Sequence, residues 1–234
     1  RAWCRDRWRQ KWRGRSHEEG QDRWEAQKDY NMLMALAPSL PKYVNASSKR
    51  ITLQEFWSIP EGPPNYEFED GELIEMVSPN DRHQDVLGAL YTALRSFLLK
   101  EKLGKLWLEL DVHLPNVRHV YIPDLVFLAT DHLNLLSKED GKIHGVPDLV
   151  VEISSPSTQR KDRTKKKNTY FQAGVTWYWM VDAVDLTIEE CKWTPEGYLI
   201  AQSIAAGEPF TPKLFPTLTF NLADLMGEEF VDEE

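Results

Sequence analysis

The chain has 234 residues, and its 41% of hydrophobic and 11% of aromatic residues suffice to bury the core of one large domain, alone or with an appendage. The formal net charge of −9 argues against tight non-specific binding to nucleic acid, which depends on a basic surface, but not against catalysis on it. Two cysteines without a CxxC pair argue against a disulfide scaffold or zinc finger and predict a reducing cytoplasm. No apolar stretch reaches the ~18–20 residues of a membrane span, so we expect no membrane partner.

The first 31 residues differ in composition from the rest of the chain. They contain four of the nine tryptophans and seven arginines. One interpretation is a basic amphipathic arm for DNA or a membrane surface. The other, which we favour, is a non-native extension with the true start at Met32 or Met34. We therefore expect residues 1–45 to be a disordered or loosely helical extension, and residues 46–234 to form the folded domain.

Capping, turn and periodicity signals predict the elements of this domain. Thr52 and Glu55 form a capping-box pattern that begins a short helix, and the Asp70-Gly71 step predicts a hairpin turn. A helix is predicted over 81–103 with Gly104 as its C-cap, followed by strands over about 105–114 and 119–129 and a third central strand in VPDLVVEISS. A second long helix then runs from Ser157 or Thr158 to Ala173, and an aromatic strand follows in TWYWMVD. The last predicted elements are an antiparallel pair around the Pro195 to Gly197 turn, a strand in TPKLFPTLTF and a helical turn capped by Asn221. This order indicates an α/β fold with a mixed sheet and an added antiparallel C-terminal hairpin.

Two apolar strands are each interrupted by a carboxylate. Asp124 lies in VYIPDLVFL and Glu152 lies in VPDLVVEIS. A buried carboxylate is costly unless it is paired or binds a metal, and two of them on adjacent strands could share one divalent cation, as phosphodiester-cleaving enzymes require. Asp148 also follows a proline, but it would lie ~13 Å from Glu152 along an extended strand, too far to share that cation. The pattern predicts a metal-dependent nuclease.

Several motifs occur together in a recognisable order. They are DGELIEM, the His83-Gln84 pair that opens the long helix, PDLVFL, PDLVVEISSPST, RKDRTKKKNTY and AGVTWYWMVD. On these motifs the chain, from about Ile51 to Met226, resembles the Uma family of putative restriction endonucleases, a branch of the PD-(D/E)XK nuclease superfamily. The resemblance implies a restriction-endonuclease-like mixed sheet flanked by helices, a divalent cation (usually magnesium, with manganese as the alternative) and hydrolysis of DNA phosphodiester bonds.

The resemblance also implies site residues. Asp124 corresponds to the superfamily's metal-binding aspartate, and Glu152 to the acid of the (D/E)XK step. The lysine of that step would stand where this chain has Ser154, which departs from the superfamily pattern. Lys166, on the following helix, is the replacement candidate. Ser154 itself is interpreted either as a ligand for water or phosphate or as a residue that satisfies backbone near a strand end.

A second tier of candidates also follows from the family pattern. Glu72 or Asp111 could supply another metal oxygen, and His83, at a helix N-terminus, could reach phosphate or a ligand carboxylate. A surface or capping role is the alternative for each. The predicted catalytic residues are thus Asp124, Glu152, Lys166, Glu72 and His83, and the predicted metal ligands are Asp124, Glu152 and Asp111.

The run RKDRTKKK, residues 160–167, carries six basic residues against one acidic residue. It has two interpretations, a solvated helix face or a clamp on the phosphate backbone. The aromatic residues Trp177, Tyr178 and Trp179 are interpreted as core rather than as a platform for stacked bases.

The prediction is a cytoplasmic, magnesium-dependent endonuclease that acts on DNA, with a homodimer as a compatible assembly. The rival from another class is a catalytically silent nuclease fold that serves as a DNA-binding or protein-interaction module. The missing lysine at Ser154 and the acidic net charge favour that rival, and the retained carboxylates disfavour it. A hydrolase acting on nucleotides or RNA stays open.

Overall fold

The computed structural model describes residues 50–154 and 160–228, so the expected extension over residues 1–45 lies outside the described residues. The first helix is α1 (Leu53–Trp57), and it begins with the predicted capping box. The Thr52 hydroxyl oxygen accepts from the Glu55 N–H at 3.1 Å, and the Glu55 carboxylate accepts from the Thr52 N–H at 2.7 Å. The two side chains thereby satisfy N–H groups that have no partner within the helix itself.

Most strands of the described residues are short. They are β1 (Tyr66–Glu69), β2 (Glu72–Glu75), β3 (Gly104–Leu108), β4 (Val112–Leu114), β5 (His119–Tyr121), β6 (Leu125–Ala129), β7 (Ile143–His144), β8 (Leu149–Ser154), β9 (Trp177–Asp182), β10 (Ile188–Thr194), β11 (Gly197–Ile204), β12 (Pro209–Phe210) and β13 (Phe220–Asn221). The five-stranded sheet has the order β2-β1-β5-β4-β7, and the six-stranded sheet has the order β11-β10-β9-β8-β6-β3. The β8–β9 pair of the six-stranded sheet is parallel and the β6–β8 pair is antiparallel, so that sheet is mixed, as predicted.

The long helix α2 (Asp81–Glu101) ends before the predicted C-cap. Asn80 caps its start, and Lys102, in the left-handed region with φ of 56°, caps its end. The prediction of Gly104 as the cap is wrong, because this residue begins β3. Its φ is 155°, and a Cβ atom there would lie 2.1 Å from the Leu128 carbonyl oxygen. Glycine is needed at this position because the backbone of β6 approaches so closely.

A bent hairpin links the two sheets. The two strands predicted over 105–114 and 119–129 each break in the middle, so that β3 and β6 pair in one sheet while β4 and β5 pair in the other. Both pairs keep one register, with Gly104 opposite Ala129 and Val112 opposite Tyr121. At the bend, Glu109 has a φ of 45° and Pro123 has no N–H to give to a ladder. The bend therefore places Asp124 where the hairpin passes from one sheet to the other.

The central strands β6, β8 and β9 of the six-stranded sheet are buried on both faces, which explains their nearly continuous apolar sequences. In β6, Leu125 and Phe127 point into the cluster that contains Leu90 and Leu94 of α2, while Val126 and Leu128 point into a second cluster. The second cluster contains Tyr170 and Ala173 from the helix α3 (Arg160–Ala173) and residues of the five-stranded sheet. The aromatic residues of β9 are divided between the two clusters, so their predicted core role is confirmed; they are Trp177, Tyr178 and Trp179.

The C-terminal part follows the prediction with one exception. Strands β10 and β11 form the predicted antiparallel hairpin, and Asn221 caps the short helix α4 (Leu222–Met226). The strand predicted in TPKLFPTLTF is wrong, because that segment is mostly turns between β12 and β13. Pro212 and Pro216 offer no N–H to a strand ladder there. The predicted start of α3 at Ser157 or Thr158 lies outside the described residues.

The result is a mixed α/β architecture with α2 and α3 on opposite faces of a mixed sheet, together with a C-terminal antiparallel hairpin. None of the helices in residues 50–154 and 160–228 combines the length and the hydropathy that a membrane crossing needs.

Candidate active site

Asp124 is held at the bend by backbone and side-chain contacts. Its Oδ2 accepts a hydrogen bond from the Ile153 N–H at 2.6 Å, which ties the bend to β8. Its Oδ1 lies 3.1 Å from Nε2 of His83, and the Asp124 side chain is 15% exposed. Because β6 begins at the next residue, with Leu125 opposite Val151, Asp124 lies beside the position of Glu152 on the neighbouring strand. The structure therefore brings the two predicted carboxylates together.

His83 enters the same place from the first turn of α2. The Asn80 side chain accepts from the His83 N–H at 2.9 Å, which fixes the helix start. Burial of the imidazole opposes its protonation, but the hydrogen bond and charge of Asp124 outweigh burial, so the pKa of His83 is raised. A histidine in this position can orient the Asp124 carboxylate and donate a proton to a neighbouring anion.

Glu152 lies on β8 in contact with two residues of α3. Its Oε1 accepts from the Tyr170 hydroxyl at 2.8 Å and lies 3.6 Å from Nζ of Lys166. Burial raises the pKa of Glu152 to about 7, and the charge of Asp124 adds to this, whereas Lys166 and the Tyr170 hydrogen bond act in the other direction. The carboxyl group is thus poised to lose its proton near neutral pH.

Lys166 extends from α3 toward Glu152, as the sequence predicts. Its Nζ donates to Oε1 of Glu67 at 2.7 Å and lies 5.2 Å from the centre of the Tyr121 ring. Burial disfavours the ammonium form, but the nearby charges of Glu152 and Glu67 outweigh it, so the pKa of Lys166 is raised. Lys166 is therefore a fixed cation beside two carboxylates.

Sequence reasoning missed Glu67, Tyr121 and Tyr170. Glu67 is only 3% exposed, and its Oε1 also accepts from the Ile122 N–H at 3.0 Å. No local signal marks Glu67, because YEFE has the alternation of an ordinary half-exposed strand. The tyrosines carry no signal either, since buried tyrosines are common in cores.

Two residues predicted for the site lie outside the cluster formed by Asp124, His83, Glu152 and Lys166. Glu72 is exposed on β2, and the Asp111 carboxylate pairs with Lys142. In the described part of the chain, no three His, Cys, Asp or Glu side chains are arranged to hold a metal ion. The geometry therefore gives no support to Asp111 or Glu72 as a further ligand beside Asp124 and Glu152.

Asp148 and Ser154 have structural contacts. The Asp148 carboxylate accepts from the Ala129 N–H at 2.7 Å and lies 2.8 Å from Nδ1 of His132. The Ser154 hydroxyl donates to the Val181 carbonyl at 3.1 Å. The Ser154 contact agrees with the interpretation that this residue satisfies a backbone group near a strand end, and the Asp148 carboxylate likewise accepts from a backbone N–H.

The donor set of the cluster suits a hard cation. Asp124 and Glu152 supply carboxylate oxygens, which are the groups that magnesium prefers. Magnesium is commonly held by one or two carboxylates, with water and substrate phosphate in its other positions. The two side chains therefore fit this ion without a third protein ligand.

Comparison with known proteins gives a family and a fold. The model of the Uma2 family, described as "Putative restriction endonuclease", matches residues 53–223. A solved structure from Anabaena variabilis ATCC 29413, described as a putative nuclease belonging to DUF820, is similar to this chain with a TM-score of 0.61 and 22% sequence identity. The similarity covers 76% of this chain and 98% of the other. No curated protein matches the chain.

Proposed function

Because the chain belongs to the Uma2 family of restriction-endonuclease-like proteins, which supports nuclease activity in general, we propose that it is a magnesium-dependent endonuclease that hydrolyses DNA phosphodiester bonds. The observation that carries the proposal is the juxtaposition of Asp124, Glu152 and Lys166. Asp124 directly precedes β6 and lies beside Glu152 on the neighbouring strand β8, and Nζ of Lys166 is 3.6 Å from Glu152. Carboxylates with an adjacent fixed cation are the groups that phosphodiester hydrolysis needs.

Each side chain has a distinct task in this proposal. Asp124 and Glu152 would hold magnesium, which supplies charge neutralisation at the phosphate and activates water for attack. The Ile153 N–H and His83 keep the Asp124 carboxylate in one orientation. Tyr170 does the same for Glu152, because its hydroxyl donates to Oε1. A carboxylate held in this way loses little conformational freedom when a ligand binds.

In this proposal, Lys166 replaces the lysine of the superfamily pattern, whose position is occupied by Ser154 in this chain. Its ammonium reaches the Glu152 carboxylate from α3 rather than from β8. We propose that it stabilises the negative charge that develops on the phosphate during cleavage. His83 lies beside Asp124, whose hydrogen bond and charge raise the pKa of the imidazole and so favour the form that can contact an anion.

The alternative is a catalytically silent nuclease fold that binds DNA or protein. Within this alternative, the basic run favours a protein partner over DNA, since Lys165, Lys166 and Lys167 pair with Glu69, Glu67 and Glu189 respectively. Lysines that neutralise the protein's own carboxylates offer less charge to a phosphate backbone. A clamp formed by these three lysines is therefore less favoured than an internal role.

The first prediction separates the enzyme from the silent fold. Asp124→Ala and Glu152→Ala should each abolish magnesium-dependent cleavage, because each removes an oxygen ligand from a hard cation. Lys166→Met should lower the cleavage rate by about 10²–10³-fold while magnesium binding is retained, since the lysine acts on the phosphate and not on the ion. Cleavage assays on plasmid and linear DNA across a magnesium titration, with calorimetry for ion binding, provide the measurement.

Asp148→Asn is the matched control for these variants. It is an aspartate beside a strand of the same sheet, but its contacts are to Ala129 and His132. Its cleavage rate should stay close to that of the unmodified protein. If the unmodified protein binds DNA but cleaves none with any metal tested, the enzyme hypothesis is contradicted and the hypothesis of an interaction module remains.

A further inference from the structure

One buried carboxylate connects three parts of the candidate site. Oε1 of Glu67, on β1, accepts from Nζ of Lys166 at 2.7 Å and from the Ile122 N–H at 3.0 Å. Lys166 belongs to α3, and Ile122 lies at the bend two residues before Asp124. A single oxygen atom thus joins the lysine and the backbone that carries the predicted metal ligand.

The contact with Glu67 fixes the position of the Lys166 ammonium. A lysine side chain is long and has many rotamers, so its head group needs a partner to stay in one place. Nζ of Lys166 is closer to Glu67, at 2.7 Å, than to Glu152, at 3.6 Å. Without the charge of Glu67, the ammonium would move onto Glu152 and neutralise the carboxylate that has to hold the cation.

A second glutamate–lysine ion pair, between Glu69 and Lys165, joins the same two elements. Glu69 lies on the same face of β1 as Glu67, is 7% exposed and pairs with Lys165 of α3. Its other carboxylate oxygen accepts from the Tyr121 hydroxyl at 2.9 Å. Both acids are therefore buried, ion-paired and hydrogen-bonded, and Glu67 differs in that its lysine also faces Glu152.

We propose that Glu67 is a positioning residue that holds the Lys166 ammonium beside Glu152 and fixes the Ile122 backbone next to Asp124. The inference rests on the proposed nuclease function. It goes beyond that function by assigning a role to a residue of the five-stranded sheet, which makes the site depend on both sheets. We expect Glu69, which pairs with Lys165 and accepts from Tyr121, to have a structural role.

The test compares Glu67→Gln with Glu69→Gln. Both changes keep the shape of the side chain and remove one buried charge, so both should lower the melting temperature. Glu67→Gln should lower kcat by about 10–100-fold with little change in KM for DNA, because it misplaces a group that acts on the developing charge. Glu69→Gln should leave kcat and KM near those of the unmodified protein. The double variant Glu67→Gln with Lys166→Met should be no slower than Lys166→Met alone, since the effect of Glu67 passes through the lysine.

Equal losses of kcat in the two glutamine variants, or additive losses in the double variant, would overturn the positioning role. If the unmodified protein cleaves no DNA, the proposed function fails, and a crystal structure of Glu67→Gln then decides the inference by itself. Movement of the Lys166 ammonium onto Glu152 supports it. An ammonium that stays where it is in the unmodified protein contradicts it.

Discussion

The Glu152 carboxyl group combines a proposed role in cation binding with an unusual proton affinity. Burial raises its pKa to about 7, so its acid form is populated at mildly acidic pH, where an exposed glutamate is ionised. Only the ionised form can bind a cation. Binding at this site is therefore a competition between the cation and a proton.

The pH dependence of magnesium binding follows from this competition. With a pKa of about 7, the carboxyl group is mostly protonated at pH 6 and mostly ionised at pH 8. Apparent magnesium affinity should therefore be about tenfold weaker at pH 6 than at pH 8. Calorimetric titrations at the two pH values measure this, and proton release in buffers of different ionisation enthalpy provides a check. Equal affinity at both values would show that Glu152 is not a ligand or is ionised throughout.

The same shift has a consequence for stability in the absence of metal. The pKa of Glu152 is raised from 4.5, so the folded state binds the proton more tightly than the unfolded state does. The protonated Glu152 side chain therefore contributes to the free energy of unfolding fully below pH 4.5, and this contribution is lost as the pH rises through about 7. If magnesium binds Glu152 as proposed, it should remove this loss, because it would replace the proton as the partner of the carboxylate.

Among the site residues, sequence reasoning was informative where a charged residue breaks an apolar pattern. Asp124 and Glu152 stand out because each interrupts a run of β-branched and aliphatic residues. Glu67 does not stand out, because YEFE has the alternation of an ordinary half-exposed strand. It is buried because α3 and the bent hairpin cover that face, which is a property of the tertiary structure and not of the local sequence.

At the scale of elements, the bent hairpin determines where the site can form. Strands β3 to β6 would form one long ribbon if they continued straight, and the sequence predicts unbroken strands over about 105–114 and 119–129. The break depends on Glu109 in the left-handed region and on Pro123. A positive φ at a non-glycine residue has no reliable sequence signal. The division of the ribbon between two sheets was therefore beyond sequence reasoning.

Gly104 offers a test of how closely this hairpin is packed. In Gly104→Ala the new methyl group would meet the Leu128 carbonyl oxygen at 2.1 Å, and the φ of 155° is unfavourable for alanine. We expect a loss of about 2–4 kcal/mol in the free energy of unfolding, measured by urea denaturation.

Gly88→Ala is the matched control for that substitution. Gly88 is exposed in the middle of α2, and a Cβ atom there meets nothing within 4 Å. Alanine should stabilise the helix at this position by about 0.5–1 kcal/mol. Similar effects of the two substitutions would contradict the close approach of β3 and β6.

At the scale of the whole molecule, the site is an assembly of distant segments. Its residues come from β1, α2, the hairpin bend, β8 and α3, and in the sequence they extend from Glu67 to Tyr170. An unfolded chain does not hold these groups together. A ligand that needs them should therefore bind the folded state alone.

Magnesium should for this reason raise the stability of the whole domain. At a free concentration of 100 times Kd, binding to the folded state alone adds about 2.7 kcal/mol to the free energy of unfolding. Thermal unfolding across a magnesium series should show Tm rising with the logarithm of the concentration, and chelation should reverse the rise. In Asp124→Ala and Glu152→Ala the rise should disappear, because the carboxylates that favour the ion are lost. Asp148→Asn, whose contacts are to Ala129 and His132, should start from a lower Tm but keep the same rise. A Tm that does not respond to magnesium in the unmodified protein would show that the folded domain has no such site. A response that survives in both alanine variants would place the ion elsewhere.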